Sequence, residues 1–181
     1  MEFLAYVLSF VGLACMISAS LVKGENMKKI LFLAFCGNFL VATSYLVNSF
    51  FVDAAAISGA VSCYIGSAQT IINFFFESKK KPLPVWLITI YAVAFVVANL
   101  YFGGLTSPLV YLAIIASLTF ILCIGQKNGA KYRFWTIINM LLWCTYDVLA
   151  KSFSVLWCSH IPLLVFSVAG MIIHDRKQKK A

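Results

Sequence analysis

The chain has 181 residues, of which 62% are hydrophobic and only 11% are charged, and its mean hydropathy is +0.95. A soluble domain of this size carries charged residues at about a quarter of its positions. The composition therefore excludes an ordinary soluble protein. It predicts an all-α, polytopic membrane protein whose main partner is the lipid bilayer.

Polar or turn-forming breaks divide the chain into seven apolar segments, each of about the length that crosses ~30 Å of hydrocarbon. No basic segment precedes the first of them, so we expect a membrane helix there and not a cleaved signal peptide. The predicted transmembrane helices cover residues 3–22, 30–50, 54–76, 85–102, 108–124, 134–150 and 154–173.

The basic residues indicate the direction of these helices. With seven spans, thirteen of the 14 Lys and Arg residues fall on one side of the membrane, and only Lys151 falls on the other. Because cytoplasmic loops collect Lys and Arg, we expect the N-terminus outside and the C-terminus in the cytoplasm. The net charge of +8 is therefore explained by the basic residues on the cytoplasmic side of the membrane. Four short clusters beside a membrane do not form the basic face that nucleic-acid binding requires.

The two ends of the chain resemble each other at a constant offset of 101 residues. Asn38 corresponds to Asn139 and Tyr45 to Tyr146, so both halves share the spacing Asn-x6-Tyr. A single connecting helix between two helix triplets makes the triplets point the same way through the membrane. The predicted organisation is therefore 3+1+3 with parallel repeats: a first three-helix repeat in residues 1–78, a connecting helix in 79–105, and a second repeat with a basic tail in 106–181.

Two tandem segments carry a resemblance to a known family: GNFLVATSYLVNSFFVDAAAISGAVSCYIGSAQTI and INMLLWCTYDVLAKSFSVLWCSHIPLLVFSVAG. Together with the length and the 3+1+3 plan, they resemble the YgjV-type bacterial inner-membrane proteins over nearly the whole chain. That family is similar in plan to the SWEET sugar transporters and the PnuC vitamin-precursor transporters. The resemblance implies a transporter-like fold in a bacterial inner membrane. The family's Asn-x-x-Arg element in the third helix is replaced here by Gly66 and Gln69, so its arginine has no counterpart.

Polar and aromatic side chains that share helix faces form the candidate site. Small residues on the same faces favour helix packing. The amides need partners that lipid does not supply, and both hydrogen bonds between helices and contacts with a solute would provide them. The candidate solute-binding residues are Asn38, Tyr45, Gln69, Asn139, Trp143, Tyr146 and Asp147.

Asp147 lies near the end of the sixth predicted helix, beside the face that carries Asn139 and Tyr146. An aspartate at the centre of a membrane helix costs on the order of 3 kcal/mol by insertion scales. We therefore expect this carboxyl group to face the bundle interior or a wet cavity, or to be protonated. Its candidate partners are Lys151, one turn away, and His160 on the next helix. A local pair with Lys151 and a solute or proton site both stay open.

These patterns favour a transporter-like protein that binds a small polar solute between the two triplets, which would rock against each other. The alternative is an accessory or scaffolding membrane protein with no solute of its own, and self-association into a homo-oligomer stays open. The predicted helices lack paired carboxylates or a nucleophile with its base, so we expect no enzyme. The six cysteines show no metal-binding spacing, and no cofactor is expected.

Overall fold

The computed structural model describes residues 2–23, 25–51, 56–104, 107–150 and 155–175. Within these ranges the chain forms seven helices and no strand. The last helix, α7, joins the α-helix Ile161–Gly170 to a π-helical turn at each end, Leu156–His160 and Met171–Asp175. The others are α1 (Glu2–Leu21), α2 (Met27–Phe51), α3 (Ala56–Ser78), α4 (Val85–Gly103), α5 (Pro108–Ile124) and α6 (Gly129–Leu149).

The all-helical class is confirmed, and each predicted transmembrane helix corresponds to one observed helix. Helix α5 is apolar, but its 17 residues are few for a membrane span. Helices α3 and α6 are less apolar because they carry most of the buried amides and charged side chains. Four helical segments are long and apolar enough to cross a membrane: Phe3–Leu21, Met27–Phe51, Val85–Gly103 and Leu156–His174.

Local sequence sets several of the helix boundaries. Helix α5 begins at Pro108, whose fixed φ and missing N–H suit the first turn of a helix. Asn128 precedes α6 and its side chain accepts a hydrogen bond of 2.8 Å from the N–H of Ala130, which caps the helix. Helix α4 ends at Gly103 and is followed by Gly104, where a φ of 79° is accessible because glycine has no Cβ.

Large apolar side chains cover the outside of the bundle. Phe3 is 80% exposed, Tyr101 79% and Val85 77%, and every helix has at least one large apolar side chain that is exposed. A soluble monomer rarely presents apolar patches of this extent to water. The outer surface is therefore suited to contact with lipid.

Helices that follow each other in sequence pack antiparallel. At the α1–α2 crossing, Ser9 bonds to Ser44 with their Oγ atoms 2.6 Å apart, and further along the backbones meet at Gly12 and Gly37. A Cβ at Gly37 would lie 2.8 Å from the carbonyl oxygen of Gly12, so only glycine permits this approach.

Two pairs of helices that are distant in sequence pack parallel and close the bundle. Helix α1 packs along α7, with Leu13 beside Leu163 and then Ser20 beside Ser167. Helix α3 packs along α5 in the same way: Gly66 faces Phe120, and Asn73 bonds to Ile124. Helix α4 covers α3 and α5 through an apolar cluster that contains Leu87, Tyr91, Phe95 and Ile121.

Candidate functional site

A cavity of about 50 Å³ lies between the helices, and all seven contribute residues to its wall. One water needs roughly 10–15 Å³ by this measure. The cavity therefore has room for about three to five waters, or for a solute with about that many heavy atoms. Polar groups on its wall come from both ends of the sequence: Asn38, Ser62, Ser117, Asn139, Ser159 and His160.

Asn139 is held in one orientation by α5. Its Nδ2 donates to the carbonyl oxygen of Ala116 at 2.6 Å and to Oγ1 of Thr119 at 2.9 Å. Because a carbonyl oxygen accepts but does not donate, the amide nitrogen must be the atom that points to Ala116. The Oδ1 of Asn139 is therefore left as an acceptor for the cavity.

Two other polar groups on the wall have no partner in the described part of the chain. They are Nδ2 of Asn38 and Oγ of Ser117, and both atoms are buried. A buried polar group without a hydrogen bond costs about 1–3 kcal/mol. Such groups on a cavity wall indicate a position for a bound molecule or water.

The carboxyl group of Asp147 is paired with His160 of α7. The Oδ2 of Asp147 lies 2.5 Å from Nδ1 of His160, and Asp147 is fully buried. Trp143 stacks on the imidazole with ring centroids 5.8 Å apart and an interplanar angle of 25°. Lys151, the other candidate partner, lies outside the described residues. The sequence thus pointed to one partner that the structure places in contact with Asp147.

The predicted site residues divide into two groups. Asn38, Tyr45, Asn139 and Trp143 lie together on the cavity wall. The other three lie outside the wall: Asp147 and Gln69 are fully buried, and Tyr146 is half-buried with its ring 5.3 Å from that of Trp143. Both amide atoms of Gln69 lack a partner among the described residues.

Two residues of this interior were not anticipated from sequence. Ser117 lies in the apolar run 108–124, where its hydroxyl and that of Thr119 resemble the small polar residues that membrane helices use for packing. Arg133 was counted with the basic residues beside the membrane, but it is only 1% exposed and lies inside α6. Its guanidinium donates to the carbonyl oxygens of Ser20 and Val22 at the end of α1.

The geometry defines an all-helical bundle with the surface of a membrane protein, a small polar cavity and a buried carboxylate–imidazole pair at its edge. Across the described ranges, no three His, Cys, Asp or Glu side chains come together as metal ligands would. No protein-family model, curated protein or solved structure matches the chain.

Proposed function

We propose that the protein is a transporter-like membrane protein that binds a small polar solute in this cavity. The observation that carries the proposal is the set of polar atoms on the wall without partners among the described residues. Asn38 comes from the triplet α1–α3, whereas Ser117 and Asn139 come from the triplet α5–α7. A solute bonded to these groups would contact both triplets, as a carrier site between two repeats requires.

The helix directions support the 3+1+3 plan with parallel repeats. In such a plan α1, α2 and α3 correspond to α5, α6 and α7. The contact between α3 and α5 then corresponds to the contact between α7 and α1, and the helices of both pairs pack parallel. Asn73 and His174 correspond at the offset of 101 residues. Each bonds to a carbonyl near the end of the other triplet's first helix: Nδ2 of Asn73 to Ile124 at 3.2 Å, and Nε2 of His174 to Leu21 at 3.0 Å.

The proposal includes seven membrane crossings with the N-terminus outside and the C-terminus in the cytoplasm of a bacterium. Odd-numbered helices run in one direction, so the C-terminal ends of α1, α3 and α5 lie at one end of the bundle. The basic residues Lys23, Lys79 and Lys127 follow these three helix ends. The bias of cytoplasmic loops toward Lys and Arg supports this orientation, and the resemblance to YgjV-type proteins supports an inner-membrane location.

The cavity favours a solute that both accepts and donates hydrogen bonds. Asn38 and Ser117 offer donors, and the fixed Oδ1 of Asn139 offers an acceptor. With a volume of about 50 Å³, the site fits a molecule the size of urea, acetamide or glycine in this conformation.

A thermal-shift screen of the purified protein against small amides, amino acids and polyols tests the proposal. We expect at least one compound to raise the unfolding temperature, as any ligand of the native state does. The effect should disappear in Asn38→Leu and persist in Leu141→Val, a control on the exposed face of α6. Uptake of that compound into proteoliposomes then tests transport.

Two results of the screen would contradict the proposal. If no compound stabilises the protein, or if stabilisation survives in Asn38→Leu, the cavity is not a solute site. The accessory or scaffolding role would then replace the transporter.

A further inference from the structure

Asp147 and His160 form a hydrogen bond between α6 and α7. Nδ1 of His160 lies within hydrogen-bond distance of Oδ2 of Asp147. Because an ionised carboxylate only accepts hydrogen bonds, Nδ1 is the donor in this pair. A neutral imidazole carries one N–H and one acceptor nitrogen. With Nδ1 donating to the carboxylate, Nε2 of His160 is the remaining acceptor, and no described residue bonds to it.

His160 is the member of the pair that contacts the cavity. It forms part of the wall and is 8% exposed, whereas Asp147 is fully buried outside the wall. Trp143 covers one face of the imidazole. A proton that moves between the pair and the cavity therefore passes through His160.

Among the described residues, the titratable groups close to the pair are thiols and phenols. Arg133 and His174 lie toward the opposite ends of α6 and α7, and in α1, which packs on this end of α7, the only charged residue is Glu2 at its start. Two further charged residues near this end of the bundle, Asp53 and Lys151, lie outside the described residues. The groups close to Asp147 on the surrounding helices are Tyr45 of α2, Cys63 of α3, and Cys144 and Tyr146 of α6.

We propose that Asp147 and His160 together form a proton-binding site that exchanges protons with the cavity. When Nε2 of His160 takes a proton from a hydronium ion in the cavity, an O–H bond of that ion breaks and an N–H bond forms. The imidazole becomes an imidazolium, water is left, and the net charge of the pair changes from −1 to zero. When the proton returns to water, only that N–H bond breaks. Buried charges in membrane proteins are expensive and serve proton relays, so this site adds proton binding to the proposed solute binding.

Nitrogen-15 NMR of histidine-labelled protein in lipid nanodiscs tests the proposal. The chain has only two histidines, His160 and His174, so in His174→Gln protein every imidazole signal belongs to His160. We expect His160 to change from two ring N–H groups to one as the pH is raised from about 5 to about 10. A ring that keeps one protonation state throughout this range would overturn the proposal.

Two matched substitutions identify the partner of His160. Asp147→Asn keeps the shape of the side chain and removes the counter-charge, so we expect at least about tenfold weaker proton binding at His160. Lys151→Met should leave the titration unchanged. An unchanged titration in Asp147→Asn, or an equal effect of Lys151→Met, would contradict the pair as the proton site. With His174 present, its unchanged signal confirms that each variant is folded.

The experiments distinguish an error in the proton-site proposal from an error in the solute-site proposal. A titrating His160 in a protein that binds none of the screened solutes would contradict only the transporter function. A solute-binding protein in which His160 does not titrate would contradict only the proton site.

Discussion

Ser20 and Ser167 bond to each other across the α1–α7 interface with their Oγ atoms 3.1 Å apart, although 147 positions separate them in sequence. Gly170 lies one turn further along α7, where a Cβ would collide with the carbonyl oxygen of Ser20. This close approach is typical of membrane helices that pack through small residues. It brings the last helix against the first and closes the bundle around the cavity.

Gly170→Ala should therefore destabilise the protein by about 1–3 kcal/mol, the usual cost of overpacking. The obstacle is the backbone of α1, which cannot move aside as a side chain can. Unfolding of the purified protein in detergent, followed by circular dichroism, measures the change. In the control Gly66→Ala, the new methyl group meets the ring of Phe120 at 3.0 Å, and this ring can rotate. Equal stabilities of the two variants would contradict the tight α1–α7 contact.

Arg133 also ties α1 to the second half of the chain. Arg133→Met should lower the free energy of unfolding by about 1.5–3 kcal/mol, because the carbonyl groups of Ser20 and Val22 lose a charged donor. Lys131→Met is the matched control, since Lys131 is exposed on the same turn of α6. If both variants unfold alike, Arg133 acts only as one of the basic residues beside the membrane.

The seven-span topology is tested by reporter fusions in bacterial cells. A reporter after Ala181 should be active in the cytoplasm, and one inserted after Gly104, at the end of α4, should report an external location. The reason is the bias of Lys and Arg toward one end of the bundle. A cytoplasmic signal at Gly104 would remove the seven-span arrangement.

Much of the fold could be predicted from the sequence because lipid restricts the choice of structure. A membrane-spanning segment must satisfy its own backbone, so apolar runs between polar or turn-forming breaks indicate helices. Apolar length alone would have identified α1, α2, α4 and α7. The spacing Asn-x6-Tyr, shared by both halves, also led to Asn38, Tyr45 and Asn139, which meet on the cavity wall.

The remaining features depend on contacts that no helix pattern contains. The burial of Arg133 follows from its reach to the end of α1, far away in sequence. Gln69 and Asp147 are polar, as residues of a solute site should be. The rotation of α3 and α6 about their axes nevertheless buries both side chains outside the cavity wall. The position of Ser117 depends on the packing of α5 against the other triplet, which the hydroxyl groups of its apolar run do not predict.

The two amides of the repeat should differ in what they contribute to stability. Asn139→Leu removes two hydrogen bonds to α5, so we expect a loss of about 0.6–2 kcal/mol, the range for such bonds between membrane helices. Asn38→Leu removes a buried Nδ2 that has no partner among the described residues. It should be neutral or stabilising, because an unsatisfied donor costs free energy in the folded state.

Unfolding of both variants without added solute measures this difference, and the thermal shift with a screened solute then separates stability from binding. Both substitutions should abolish the shift, since both side chains line the cavity. Equal destabilisation by the two would mean that Asn38 makes a structural bond equivalent to that of Asn139. The repeat would then be symmetric in packing, and the free donor on the cavity wall would no longer support a solute site.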